Sequence, residues 1–222
     1  MRIEAFTPDG QTGRYLGVYP AIVTSIVRDT EALGRIEVRF PWLGDDGADV
    51  RALATLCTPY ADANQGFEMI PAVDSQVVVA FEAGDLRRPY VLGACWNGRA
   101  ALPAQPEAAN NKRLIRTRAG SLLEFDDSEG ADKVTLATHN GHKLVLDNAA
   151  DEVKFTHRNG CMIKMNAAGQ VSITATATVE VNAAAVNVHA ASAIFDGLVQ
   201  CQTLITSSVV SASYTPGAGN IW

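Results

Sequence analysis

Aromatic residues are scarce in this 222-residue chain: Phe, Trp and Tyr together make up 7%. A thick helical core needs large side chains. Their scarcity, with Ala, Val and Thr plentiful, favours many thin strands. Positive charge is short too: Lys and Arg number 18 against 24 Asp and Glu, a formal net charge of −6. Nothing in that balance attracts a phosphate backbone, so no nucleic-acid partner is expected. Cysteine is limited to Cys57, Cys95, Cys161 and Cys201. No two form a Cys-x-x-Cys metal or redox pair. Each sits in an apolar, strand-like run, which predicts buried free thiols. No uncharged apolar run reaches the roughly 18 residues of a membrane span. The start, MRIEAFTPDGQTGRY, lacks the apolar stretch of a signal peptide, so a soluble protein made in the cytoplasm is expected. Gly-x-Ser-x-Gly, His-Glu-x-x-His and P-loop patterns are all missing, and no Ser/His/Asp set stands out, so no enzyme is predicted.

What is present is alternation. Apolar residues rarely recur at helical spacing, whereas period-two patterns are common. In GRIEVRF, Ile36, Val38 and Phe40 share one face and Arg35, Glu37 and Arg39 the other, which predicts a half-buried antiparallel strand. YPAIVTSIV (19–27) and RALATLC (51–57) read as flanking strands. VVVAFEA (77–83) and PYVLGACW (89–96) are apolar throughout and are expected to be buried more deeply. Between them GDLRRP reads as a turn: Gly84 supplies positive φ, Asp85 accepts hydrogen bonds, and Pro89 opens the next strand without an N–H to lose. Arg87 and Arg88 are expected to be solvated or to pair with acids on a neighbouring protein. Short strands between Gly, Pro and Asp turns describe a small barrel or sandwich.

The Pro-containing stretch LPAQPEAANN (102–111) is the best boundary. Beyond it the chain repeats. LLEFDD (122–127), KLVLDN (143–148) and MIKMNA (162–167) align, each preceded by a glycine at 120, 141 or 160. Each is followed by a second short strand: KVTLAT, EVKFTH and QVSITA. Then VSIT (171–174), VEVN (179–182) and VNVH (186–189) step by shorter intervals. Repeats at fixed spacing imply stacked units, none of which buries its own apolar face alone. An extended strand gains at most about 3.4 Å per residue, so the shorter steps reach across one face of a prism but not around it. Three intertwined chains would each supply one face, with Val179, Val181, Val186 and Val188 on the axis.

Several motifs resemble sites. Asp126, Asp127 and Glu129 in DDSEG lack the ligand spacing of a calcium loop and read as a turn. His139 and His142 in THNGH have chelating spacing but no evident third ligand, so a turn is favoured there too. Three copies of an axial histidine could hold a transition metal. The alternation, however, sets His189 outward, away from Val186 and Val188. No cofactor is expected, with an axial ion only a minor alternative. The C-terminal YTPGAGNIW has the Gly and Pro content of a closing turn. It reads as a cap over the stack, with Pro216, Gly217 and Gly219 shaping it and Ile221 and Trp222 packing at the tip.

Taken together, Gly34–Trp42, Pro71–Val78 and Phe81–Gly93 resemble the oligonucleotide/oligosaccharide-binding (OB) fold domain of contractile-tail spike proteins. That family comprises phage baseplate assembly protein V and the valine-glycine-repeat spikes of type VI secretion. NKRLIRTRAGSLLEFDD resembles the entry to the family's triple-stranded β-helix. Asp74 departs from the pattern by standing where glycine is usual, so its turn is expected to be reshaped. No lysozyme-like insert and no hub-like N-terminal region accompany the match, and the His-x-His iron motif of some short spike tips is missing.

The resemblance implies an all-β chain: an OB-fold barrel followed by an intertwined trimeric β-helix needle. The expected divisions are an N-terminal segment (1–14), the barrel (15–103), a linker (104–111), the needle (112–215) and a tip cap (216–222). It implies a homotrimeric structural spike of a phage tail baseplate or equivalent injection particle. Its implied partners are a separate hub protein at the barrel end, a tip protein at the other, and the target envelope transiently. The alternative is an oligosaccharide- or ligand-binding β module of a tail or secretion complex.

Overall fold

The computed structural model describes residues 14–44 and 49–213. Five strands close a barrel in the order β1-β2-β3-β7-β6. They are β1 (Val18–Ser25), β2 (Arg35–Arg39), β3 (Arg51–Leu56), β6 (Gln76–Phe81) and β7 (Pro89–Ala94). A short hairpin, β4 (Ala61–Asp62) and β5 (Gln65–Gly66), lies between β3 and β6 in the chain. All barrel pairings are antiparallel except β3 with β7, whose parallel register closes the ring. This is the OB-like barrel the resemblance implies.

Alternation makes the core. Ala21 and Val23, Ile36 and Val38, Val77 and Val79, and Val91 point inward from their strands and are buried. Phe40 and Phe81 join them from strand ends. Around Phe81 gather Tyr15, Tyr19, Phe40 and Trp42, with the Tyr19 and Trp42 rings stacked at 4.6 Å. Trp42 Nε1 donates to the Pro20 carbonyl at 2.8 Å, so the indole is held by both ends.

Two expectations for this half need correction. The β7 run is not buried throughout: Pro89 and Val91 are, but Leu92 and Trp96 face out, because only alternate residues can face the barrel interior. Glu37 is not on a solvated face. It is buried, accepting from Thr24 Oγ1 at 2.7 Å and pairing with Arg28 at 3.0 Å and Arg51 at 3.3 Å. Arg87 and Arg88 are exposed, as expected, and each also pairs within its own turn, with Asp85 at 2.9 Å and Glu82 at 3.2 Å. Asp74 adopts φ +70°, the left-handed region that favours glycine and that Asp tolerates. Gly84, at φ +80°, keeps the predicted role, and an added Cβ there would press on the Tyr15 backbone at 3.0 Å.

Residues 112–174 form one seven-stranded antiparallel sheet in simple chain order. Its strands are β8 (Lys112–Arg116), β9 (Leu122–Asp126), β10 (Lys133–Ala137), β11 (Lys143–Asp147), β12 (Glu152–Thr156), β13 (Met162–Asn166) and β14 (Val171–Thr174). The repeat glycines 120, 141 and 160 adopt φ of +91°, +93° and +95°, one turn shape used three times. In each, the N–H of the first turn residue reaches the carbonyl of the fifth, as Thr138 does to His142 at 2.9 Å. The described cysteines are not in strands, and Cys57, Cys95 and Cys201 are exposed, against the expected burial: each falls at or beyond an element's end.

From residue 175 to residue 213 the chain has no strand among the described residues, and its side chains are almost all exposed. The region expected as one needle thus has two textures, a sheet and a partnerless extended stretch.

Candidate functional site: an uncovered sheet face

Register sorts the side chains of the second sheet onto two unlike faces. Directly opposed residues share a face. One row runs Ile115, Leu123, Leu136, Leu144, Phe155, Ile163 and Ile173 across all seven strands. The next row on that face runs Arg113, Phe125, Val134, Leu146, Val153, Met165 and Val171. Every position but Arg113 is apolar. Among the described residues nothing covers them: Phe155 is 50% exposed, Leu136 53% and Ile173 63%.

The opposite face carries Leu114, Glu124, Thr135, Val145, Lys154, Lys164 and Ser172 in one row. Glu152 there takes Lys154 Nζ at 2.6 Å and also pairs with Lys164, and both lysines hold its carboxyl below the usual range. This face is mixed, with charged and hydroxyl side chains beside Leu114 and Val145. Apart from Asp126, no described residue beyond the barrel is buried. A continuous apolar face of this size on a single-layer sheet marks an interaction surface.

The predicted acidic and histidine motifs take separate places. Asp126 accepts from the Ser128 N–H at 3.1 Å and from its hydroxyl at 2.6 Å, which lower its pKa, and Asp127 pairs with Arg113 at 3.2 Å. DDSEG is therefore a turn, as read. His139 and His142 do not converge. His142 instead meets His157 of the next hairpin, ring centroids 4.3 Å apart. Cys161 follows across the same turn, its Sγ 3.5 Å from Thr176 Oγ1, a hydroxyl that draws the thiol pKa down. Sequence reasoning missed this grouping. The signal was in the repeats: aligning the second strands sets His157 level with Thr138, and aligning the first sets Cys161 level with His142. Among the described residues no group of three His, Cys, Asp or Glu that could hold a metal is gathered.

The four valines nominated for a trimer axis lie in the extended stretch. Val179, Val181, Val186 and Val188 are 58–71% exposed in the lone chain. His189 is exposed nearby. The tip residues Pro216, Gly217, Gly219, Ile221 and Trp222 lie outside the described residues.

The barrel offers a second, smaller surface. Tyr60, Phe67, Met69 and Ile70 on the β4–β5 arm are each about half exposed. A groove of about 710 Å³ runs between that arm and β2, past Asp29 and Arg35. Arg35 Nη2 bonds Asp29 at 2.7 Å and Glu31 at 2.5 Å, and its side chain is the chief cause that lowers the Asp29 pKa to about 2. These charges satisfy one another. The barrel's clustered aromatics likewise pack on each other.

Comparison with known proteins bears on the barrel. Residues 19–96 match the family described as the type VI secretion system/phage-baseplate injector OB domain. The chain is 22% identical over 131 residues to the type VI secretion system spike protein VgrG1a of Pseudomonas aeruginosa, covering 54% of this chain and 20% of that protein. It is 23% identical over 127 residues to spike protein VgrG3 of Vibrio cholerae, covering 54% of this chain and 12% of that one. A third relative, the actin cross-linking toxin VgrG1 of Vibrio cholerae, is 22% identical over 141 residues, covering 58% and 13%. The chain spans a fifth or less of the length of these relatives.

Proposed function

We propose, from the premise that this chain belongs to the contractile-tail spike family through the injector OB domain at residues 19–96, that three copies assemble into the central spike of an injection machine. One observation carries the reading. The apolar rows on β8–β14 and the valines beyond them lie on a chain whose described residues supply nothing to cover them. Equivalent faces of two further copies, turned inward about a common axis, would bury all of them at once. The lysine–glutamate face would then be the outside of a prism.

In this reading the function is mechanical. The barrel seats the trimer on a hub protein, and the exposed β4–β5 arm and its groove are the surface for that contact. The needle transmits the thrust of contraction into the target envelope. Stiffness comes from the shared apolar core and from interchain hydrogen bonds formed by residues 175–213. Obligate interfaces of this kind commonly exceed roughly 2,000 Å². A C-terminal cap and a tip partner complete the spike. The role in this reading is structural rather than catalytic.

The test is solution mass by light scattering. The full chain should run at three times its 23.6 kDa, and residues 1–111 alone should run as a folded monomer. A monomeric full-length chain would overturn the spike reading.

A further inference from the structure

We propose that the two lateral edges of the β8–β14 sheet are complementary halves of one interface, the basic edge of each copy docking along the acidic edge of the next. The inference rests on the trimeric reading above.

Register sorts the turns as it sorts the faces. In a simple meander every second turn falls on the same side. The turns after β8, β10 and β12 therefore line one edge, and those after β9, β11 and β13 the other. The first edge spans residues 116–122, 137–143 and 156–162. It carries Arg116, Arg118, Lys143 and Arg158, and no carboxylate. The second edge is the reverse. Residues 126–132 bring Asp126, Asp127, Glu129 and Asp132, and residues 147–152 bring Asp147, Asp151 and Glu152. Only Lys112, Arg113 and Lys133 stand against them at the strand ends on that side.

Neither edge is neutralised within the chain. Arg116, Arg118, Lys143 and Arg158 are all exposed, and among the described residues none of them forms an ion pair. They are also stacked. A Cβ added to Gly141 would stand 3.7 Å from Arg158 Cβ, and one added to Gly120 would stand 3.6 Å from His139 Cβ, so successive turns rest on one another along the edge. On the other side Asp147 lies directly opposite Glu152, two like charges across a strand pair. Glu152 is held by Lys154 and Lys164, whereas Asp147 accepts only from the Ala150 N–H at 2.9 Å.

Symmetry supplies the missing partner. Three sheets with their apolar faces inward meet along their lateral edges, and rotation makes every such contact heterologous, one edge against the other, around a closed ring. Lys143 at one end of β11 then approaches Asp147 at the far end of the next copy's β11. Turns on the two edges are offset by one strand, roughly 4.8 Å, so basic turns fall between acidic ones. A copy turned end for end, its apolar face still inward, would set like edge against like. The charges thus select the parallel arrangement, which the apolar face alone does not.

The experiment treats dilute full-length protein with a zero-length carbodiimide, and reads mass by light scattering and cross-links by mass spectrometry. Lys143 is the one amine on the basic edge, and the length of β11, about 14 Å, separates it from the acidic edge of its own chain. A link from Lys143 to an acidic turn therefore joins two copies. The expected result is a trimer in which Lys143 is coupled to Asp147 or Asp132, with Lys143→Arg removing the link and leaving the mass unchanged. Arg118→Glu/Arg158→Glu should slow reassembly from denaturant about tenfold or more at low salt, and adding Asp132→Lys/Asp151→Lys to the same chain should restore it. A trimer without a Lys143 link to either acidic turn, or a reversed chain that reassembles at the wild-type rate, overturns the edge contact and leaves the spike reading intact. A monomer overturns both. Where the reversed chain does not refold, the wild-type cross-link decides.

Discussion

The barrel and the seven-stranded sheet are both antiparallel-rich, alternating and thin, yet they end in opposite states. The barrel closes on itself, and its alternate residues meet those of other strands across one interior, so Val23, Val38, Val77, Val79 and Val91 lose all contact with water. The sheet alternates just as strictly but never curls back, so Leu136, Phe155 and Ile173 stay about half exposed or more. Alternation decides which side of a strand is apolar. It does not decide whether that side finds a partner within the chain. A closed curve supplies one, and a flat meander must borrow one.

The largest effect should come from charging the uncovered face. Phe155→Asp places a carboxylate in the middle of the apolar row, and Val181→Asp does so farther along; each should reduce the solution mass threefold, read by light scattering. Either variant forming a normal, heat-stable trimer would break the contrast between the two regions. The barrel should answer differently. Phe40→Ala leaves a cavity in a core already complete within one chain and should cost about 3–5 kcal/mol of barrel stability in denaturant titration, with no change in mass.

Acid should act next, and on the barrel first. Asp29 and Asp85 are held at a pKa of about 2, chiefly by side-chain hydrogen bonds from Arg35 and Arg87. A carboxyl lowered in the fold stabilises it above the unfolded pKa, and that contribution fades as pH falls. The thermal midpoint of residues 1–111 should therefore decline between about pH 4 and pH 2. A flat profile there would mean these pairs contribute nothing. The smallest effect is at a turn. Gly141→Ala forces a Cβ into φ +93° and should cost about 1–3 kcal/mol in thermal melts, while the same change at Gly197, whose φ is not in that range, should be nearly neutral.

How much of this was legible beforehand varied by element. β2 could be read residue by residue, because Ile36, Val38 and Phe40 carry both the period and the bulk. The three glycine-led hairpins were legible from their spacing. The buried Glu37 was not, since its neighbours Thr24, Arg28 and Arg51 come from three other places in the chain. The cysteines misled because apolar flanks mark strands without saying where each strand stops. His142 was weighed against its sequence neighbour His139, but a hairpin turns those two apart and presents His157 instead.

The sequence by itself determined the all-β character, the repeat turns and the apolar alternation, since each depends on neighbours along the chain. Tertiary structure alone decided that the first half closes into a barrel with its own core. It alone decided that the second half lays out a two-row apolar face with no described residue above it. Both outcomes depend on strand register and curvature, which join residues far apart in sequence and leave no local signature.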